Sequence, residues 1–164
     1  MNSTLFSSKT KTIGLVVSFL ICFGAAALGS AATTPSLADW FANLNKPDWN
    51  PPNWLFGPVW STLFAMMAVA VWLVWCQSGF KNGKTALTCF GIQLVLNVGW
   101  SVLFFGMQRP DLALIEIVVL WFAIVTTMVL FARHSKLAAG LLGPYLAWVS
   151  FASVLNFAIW SLNR

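Results

Sequence analysis

Apolar positions along this chain gather into five blocks, at about 12–32, 53–76, 85–106, 111–132 and 137–162, with short polar interruptions between them. Crossing a bilayer takes roughly 20 helical residues, and every block reaches that length. None contains the Asn-Gly or Asp-Gly turns that would divide it into barrel strands, so the pattern predicts helices. The predicted fold is all-α: an integral membrane bundle of five transmembrane helices, with residues 1–164 forming one domain. The interruptions at 77–84, 107–110 and 133–136 are short, which makes consecutive spans antiparallel neighbours. The long interruption at 33–52 has its own pattern. Thr34-Pro35 reads as a helix start, and Leu37, Trp40, Phe41 and Leu44 then fall at i, i+3, i+4 and i+7. This predicts a short amphipathic helix lying on lipid headgroups or over the open end of the bundle, with those four residues as its lid face.

The first block admits a second reading. Lys9 and Lys11, an apolar core and Ala25-Ala26-Ala27 resemble a signal peptide with its cleavage site. Apolarity continues to Ala32, however, which favours a retained span. Composition agrees with a membrane setting: 59% of residues are hydrophobic and 8% charged. The net charge of +5 is unevenly placed. With five spans, Lys9, Lys11, Lys81, Lys84, Arg133 and Lys136 share one side without an acid. Lys46, Arg109 and Arg164 share the other with Asp39, Asp48 and Asp111. The basic side should be cytoplasmic, placing the N-terminus inside and the C-terminus and first long loop opposite. No basic, aromatic-interleaved soluble face points to nucleic acid. Cys22, Cys76 and Cys89 have no C-x-x-C spacing and read as packing residues.

Helical stripes carry the unusual residues to one depth. Trp60, Phe64 and Met67 form one stripe, Gln93, Asn97, Trp100 and Phe104 another, and Trp148, Phe151, Ala152 and Leu155 a third. Buried amides must face protein or a cavity, since lipid cannot satisfy them. For Asn97, spacing favours interhelical glue over a polar handle in a ligand pocket. Glu116 is the ionisable residue within a span, read as an interfacial carboxylate paired with Arg109 or, alternatively, as a pocket or proton-linked group. Asn156 reads as glue, pointing away from the Trp148 stripe. Pro144 after Gly143 should kink the last span. Ala25 and Gly29 make a small-xxx-small pair, suited to a dimer seam or to packing within one chain.

Above these stripes lies K-P-D-W-N-P-P-N-W-L-F-G-P-V-W, residues 46–60, with three tryptophans and four prolines. Prolines stiffen the approach to the helix, and Trp49 and Trp54 offer flat faces with one donor each. The stretch reads as an aromatic cover. No catalytic constellation accompanies it: zinc spacing, phosphate loops and activated-serine motifs are absent. His134 stands alone in the basic R-H-S-K loop, so no metal site and no required cofactor are expected.

These residues resemble the translocator protein family, also called the tryptophan-rich sensory protein or peripheral benzodiazepine receptor family. The likeness rests on W-N-P-P-N-W-L-F-G-P-V-W at 49–60, Q-L-V-L-N-V-G-W-S-V-L-F-F-G at 93–106 and P-Y-L-A-W-V-S-F-A-S-V-L-N-F-A-I-W at 144–160. Glu116 also matches a recurring family acid. The resemblance implies a five-helix bundle in the lipid bilayer, commonly a homodimer. It would bind porphyrins, haem, sterols and isoquinoline or benzodiazepine-type ligands under the first long loop. Carried over by position, it marks Trp60, Phe64, Asn97, Trp100, Trp148 and Ala152 as pocket residues, with Trp49 and Trp54 from the cover, and turns Asn97 into a ligand contact. Phe151 joins them from the stripe. The function implied is a sensor of tetrapyrroles; the alternatives are a carrier or exporter of porphyrins or sterols and a light-dependent porphyrin-degrading enzyme. Two positions depart from the family pattern. Phe64 stands where tyrosine is frequent, and Phe157 and Ser161 lack the tyrosine and base of a sterol-recognition pattern.

Overall fold

A computed structural model describes residues 6–164, and among these there is helix but no strand. Helix α1 runs Ser8–Ser36, α2 Asn53–Ser101, α3 Pro110–Ala132, α4 Lys136–Leu141 and α5 Gly143–Leu162. Four continuous helical stretches are long and apolar enough to cross a membrane: Ser8–Phe41, Asn53–Gly106, Pro110–Ala132 and Lys136–Leu162. The second has 54 residues. Straight, it would extend roughly 80 Å, far beyond a hydrocarbon core of about 30 Å. It is not straight. Gly79 has φ 63° and ψ −173°, a conformation open to glycine, and breaks α2 into two arms. The arms fold back on each other, so that Gln93 Nε2 of the second lies 3.9 Å from Met67 Sδ of the first. The interruption expected over 77–84 is thus confined to one glycine, and the residues around it stay helical.

The expected short amphipathic helix is a continuation of α1. Thr34 does not cap it: its Oγ1 donates back to Ser30 O at 2.8 Å, as Thr33 Oγ1 does to Gly29 O at 2.9 Å. Pro35 sits inside the helix. Its fixed φ is helical, and the missing N–H removes one hydrogen bond without forcing a new start. The chain then widens into a π-helical turn at Leu37–Phe41. A second π-turn, Val102–Gly106, ends the second arm of α2. The two turns meet: Ser36 Oγ donates to Phe105 O at 2.8 Å, and Phe41 packs 5.4 Å from the ring of Phe105. The fifth apolar block divides at Leu142, with Pro144 in the first turn of α5, as its sequence predicts.

Helix α1 changes partner along its length. At the basic end Trp72 Nε1 of the first arm donates to Lys11 O at 2.8 Å, and Gly14 lies flat against the indole of Trp75, where any Cβ would overlap the ring. At the other end, here the cover end, Gly29 rests on Ser101 of the second arm. The small-xxx-small pair therefore packs within the chain, with Ala25 buried and Gly29 against α2. Most of α1 otherwise presents exposed Ile, Val and Leu, including Leu20 and Leu28, as do α3 at Ile115, Val118 and Phe122. The core between them is Met67, Ala68, Ala70 and Val74 of α2 with Ile117, Leu120 and Ile124 of α3 and Val149 of α5.

Candidate functional site

At the cover end the helices separate around a cavity of ≈ 390 Å³. This volume lies within the usual range of small-molecule sites, about 300–1,000 Å³. Its walls come from α1 and its π-turn (Phe23, Ala26, Gly29, Ser30, Thr33, Thr34, Leu37, Phe41) and from the first arm of α2 (Asn53, Phe56, Gly57, Trp60, Ser61, Phe64). The second arm and π-turn add Asn97, Trp100, Ser101, Phe104 and Phe105, and α5 adds Trp148, Ala152, Leu155, Asn156 and Ile159. Aromatic rings form most of the flat surface and hold one another in place. Phe56 meets Trp148 edge-on at 5.8 Å, Trp60 lies 5.7 Å from Phe64, and Trp100 stacks on Phe104 at 5.0 Å. These separations suit offset and edge-to-face pairs.

Three polar side chains of the inner wall are engaged with the protein. Asn97 Nδ2 donates to Tyr145 Oη at 3.0 Å. Trp100 Nε1 donates to Asn156 Oδ1 at 3.0 Å, and Asn156 Nδ2 donates to Pro110 O at 2.9 Å. Asn97 is therefore both glue and wall. Asn156 is glue as expected, but it does not point away: lying at i+8 from Trp148, it shares the cavity face. Tyr145, the chain's single tyrosine, is fully buried, with its ring 6.2 Å from Trp60. It stands three residues before Trp148, a spacing that shares a face, and the Trp148 stripe starts one turn too late to include it.

The other sequence-marked residues occupy three settings. Trp60, Phe64, Asn97, Trp100, Trp148 and Ala152 all line the cavity, joined by Leu37 and Phe41 of the lid stripe. Trp40 and Leu44 stand behind them, Trp40 edge-on to Phe104 at 5.6 Å. Phe151 lies between Trp49 at 5.8 Å and Trp148 at 5.5 Å, outside the lining. Trp49 is half-exposed, and Trp54 is 72% exposed on the outer surface of α2. The cover is tied to the end of α5. Asn45 N–H donates to Asn163 Oδ1 at 2.9 Å, and Asn163 Nδ2 donates to Asn45 O at 2.8 Å.

Glu116 does not pair with Arg109. The arginine instead holds Asp111 through two bonds, at 2.8 and 2.6 Å. Glu116 faces from α3 toward Gly99 of α2, with both carboxyl oxygens buried and without a hydrogen-bond partner. Gln93 Oε1 is likewise buried and unpartnered. Neither lines the cavity. Among the described residues no three of His, Cys, Asp and Glu come together, and the lining contains no His, Cys, Met or Tyr. The wall can offer a flat apolar molecule stacking and burial, and it offers a metal ion no side-chain ligand.

Fold and site together define a helical membrane protein with an aromatic-walled cavity at one end of its bundle. The TspO/MBR family model matches residues 18–161, and the chain belongs to that family. It is 49% identical over 154 residues to the tryptophan-rich protein TspO of Chlorobaculum tepidum, covering 90% of this chain and 97% of that one. It is 40% identical over 127 residues to the translocator protein of Homo sapiens, covering 76% and 75%. With the tryptophan-rich sensory protein of Cereibacter sphaeroides it shares 37% over 149 residues, 91% of each.

Proposed function

We propose that this protein binds tetrapyrroles such as protoporphyrin and haem, and related flat apolar molecules, in the cover-end cavity, and that it acts as a sensor or regulator. The supporting observation is the wall itself. Trp60, Trp100 and Trp148 arrive from three different rods at one cavity, together with six phenylalanines. Large flat faces of this kind favour a rigid planar ligand, whose burial removes apolar area from water with little loss of internal freedom. The lid stripe at Leu37, Trp40, Phe41 and Leu44 closes the end, and Asn163 fastens the cover. Trp49 and Trp54 extend the aromatic surface outward.

The reading includes five membrane crossings, the two arms of α2 serving as two spans joined at Gly79. Lys9, Lys11, Lys81, Lys84, Arg133 and Lys136 then face the cytoplasm, and the cavity opens in the opposite half of the bilayer. Protoporphyrin titrated in darkness and in light tests the function. Saturable quenching in the dark without a new absorbing species is the expected result. A new chromophore in light would make the protein an enzyme, and porphyrin flux across sealed vesicles would make it a carrier.

A further inference from the structure

The cavity's walls differ in exposure, and the difference has a direction. Lining residues from the second arm of α2 and from α5 are buried or half-buried, whereas the exposed ones are Phe23, Ser30 and Thr34 of α1 and Asn53, Gly57 and Ser61 of the first arm. The cause is the course of α1. It touches the first arm at the basic end, through Trp72 and Trp75, and the second arm at the cover end, through Ser101 and Phe105. Between α1 and the first arm a wedge therefore opens sideways. A Cβ placed on Gly57 would meet nothing within 4 Å.

The wedge gathers several polar side chains, Ser30, Thr33, Thr34, Asn53 and Ser61, in one place. Thr33 and Thr34 return their hydroxyls to their own helix. Ser30, Asn53 and Ser61 make no side-chain hydrogen bond among the described residues, and each can donate one. In the inner wall Trp100 N–H, Asn97 and Asn156 are engaged with protein partners, while Ser101 Oγ and Trp148 N–H have none among the described residues and sit deeper than the exposed rim.

Resting on the cavity reading above, we propose that this seam is a lateral entry and a polar rim. A flat ligand enters from the bilayer between α1 and the first arm of α2, its apolar plane on the tryptophans. Its anionic edge stays at Ser30, Asn53 and Ser61. The ligand class is a planar amphiphile with carboxylates on one edge.

The probes are protoporphyrin IX and its dimethyl ester, which has the same ring without the charges. Stopped-flow tryptophan quenching of the full chain in lipid nanodiscs gives rates and affinities for both. Wild type should bind the free acid about tenfold more tightly, the scale of one hydrogen bond to a charged group. In the Ser30→Ala, Asn53→Leu, Ser61→Ala variant that preference should disappear while ester affinity holds. Gly57→Trp, and independently Ser30→Trp from the facing wall, should slow both association and dissociation of the dimethyl ester by about tenfold. An acid preference that survives the triple variant, or rates unchanged by both tryptophans, would overturn the seam while leaving cavity binding intact. Failure of both porphyrins to quench wild type saturably would overturn the cavity reading as well.

Discussion

At the scale of single residues, the cavity was legible wherever periodicity alone decides direction. Trp60 and Phe64, Asn97 and Trp100, and Trp148 and Ala152 each follow helical spacing, and all six line one space. The misreadings have local causes. Asn156, at i+8 from Trp148, returns to the cavity face, and Arg109 is taken by Asp111 and leaves Glu116 unpaired. Glu116 yields a prediction. Both its oxygens are buried without partners, so Glu116→Met, which fills similar space with no unpaired oxygen or amide, should be more stable than wild type by up to about 1–3 kcal/mol. Thermal unfolding in detergent measures it, and a lowered Tm would mean the carboxylate has a partner of its own. Phe64→Tyr is the complementary test. A hydroxyl added at this buried cavity position should change porphyrin affinity by up to about tenfold in either direction, the scale of one hydrogen bond, with Tm nearly unchanged. A fall in Tm without a change in affinity would place Phe64 in packing alone.

At the scale of elements, the apolar blocks predict the helices and, less well, the form of their joints. The polar run at 77–84 marks where α2 turns, but not that a single positive φ at Gly79 makes the turn while its neighbours stay helical. The π-turns leave no mark in the sequence. The one at Val102–Gly106 carries Phe105 inward beside Phe104, which straight helical spacing would have separated by about 100°. Thr34-Pro35 misled in the opposite way, imitating a helix start inside a continuous helix. What holds the cover is also a joint, the exchange between Asn45 and Asn163. Asn163→Ala should therefore speed amide hydrogen exchange across residues 37–54 while exchange in α3 stays at its wild-type rate. Equal exchange in the variant and wild type would show that lid packing on Phe104 and Phe105 holds the segment by itself.

At the scale of the whole molecule, topology and chemistry meet: six of the nine basic residues lie at one end and the aromatic cavity at the other. Cysteines introduced over 40–54 should be labelled by membrane-impermeant reagents from the side opposite those over 81–84. Labelling of both from one side would contradict five crossings. If the cavity, and no other tryptophan surface, binds the ligand, protoporphyrin affinity read by quenching in one detergent must separate Trp148→Phe from Trp72→Phe. Trp148 lines the cavity, whereas Trp72 is bound to Lys11 O at the basic end. Aromatic contacts contribute about 0.5–1.5 kcal/mol beyond burial, so Trp148→Phe should weaken binding by several-fold to about tenfold, and Trp72→Phe should leave it unchanged. Equal losses in the two variants would contradict the account.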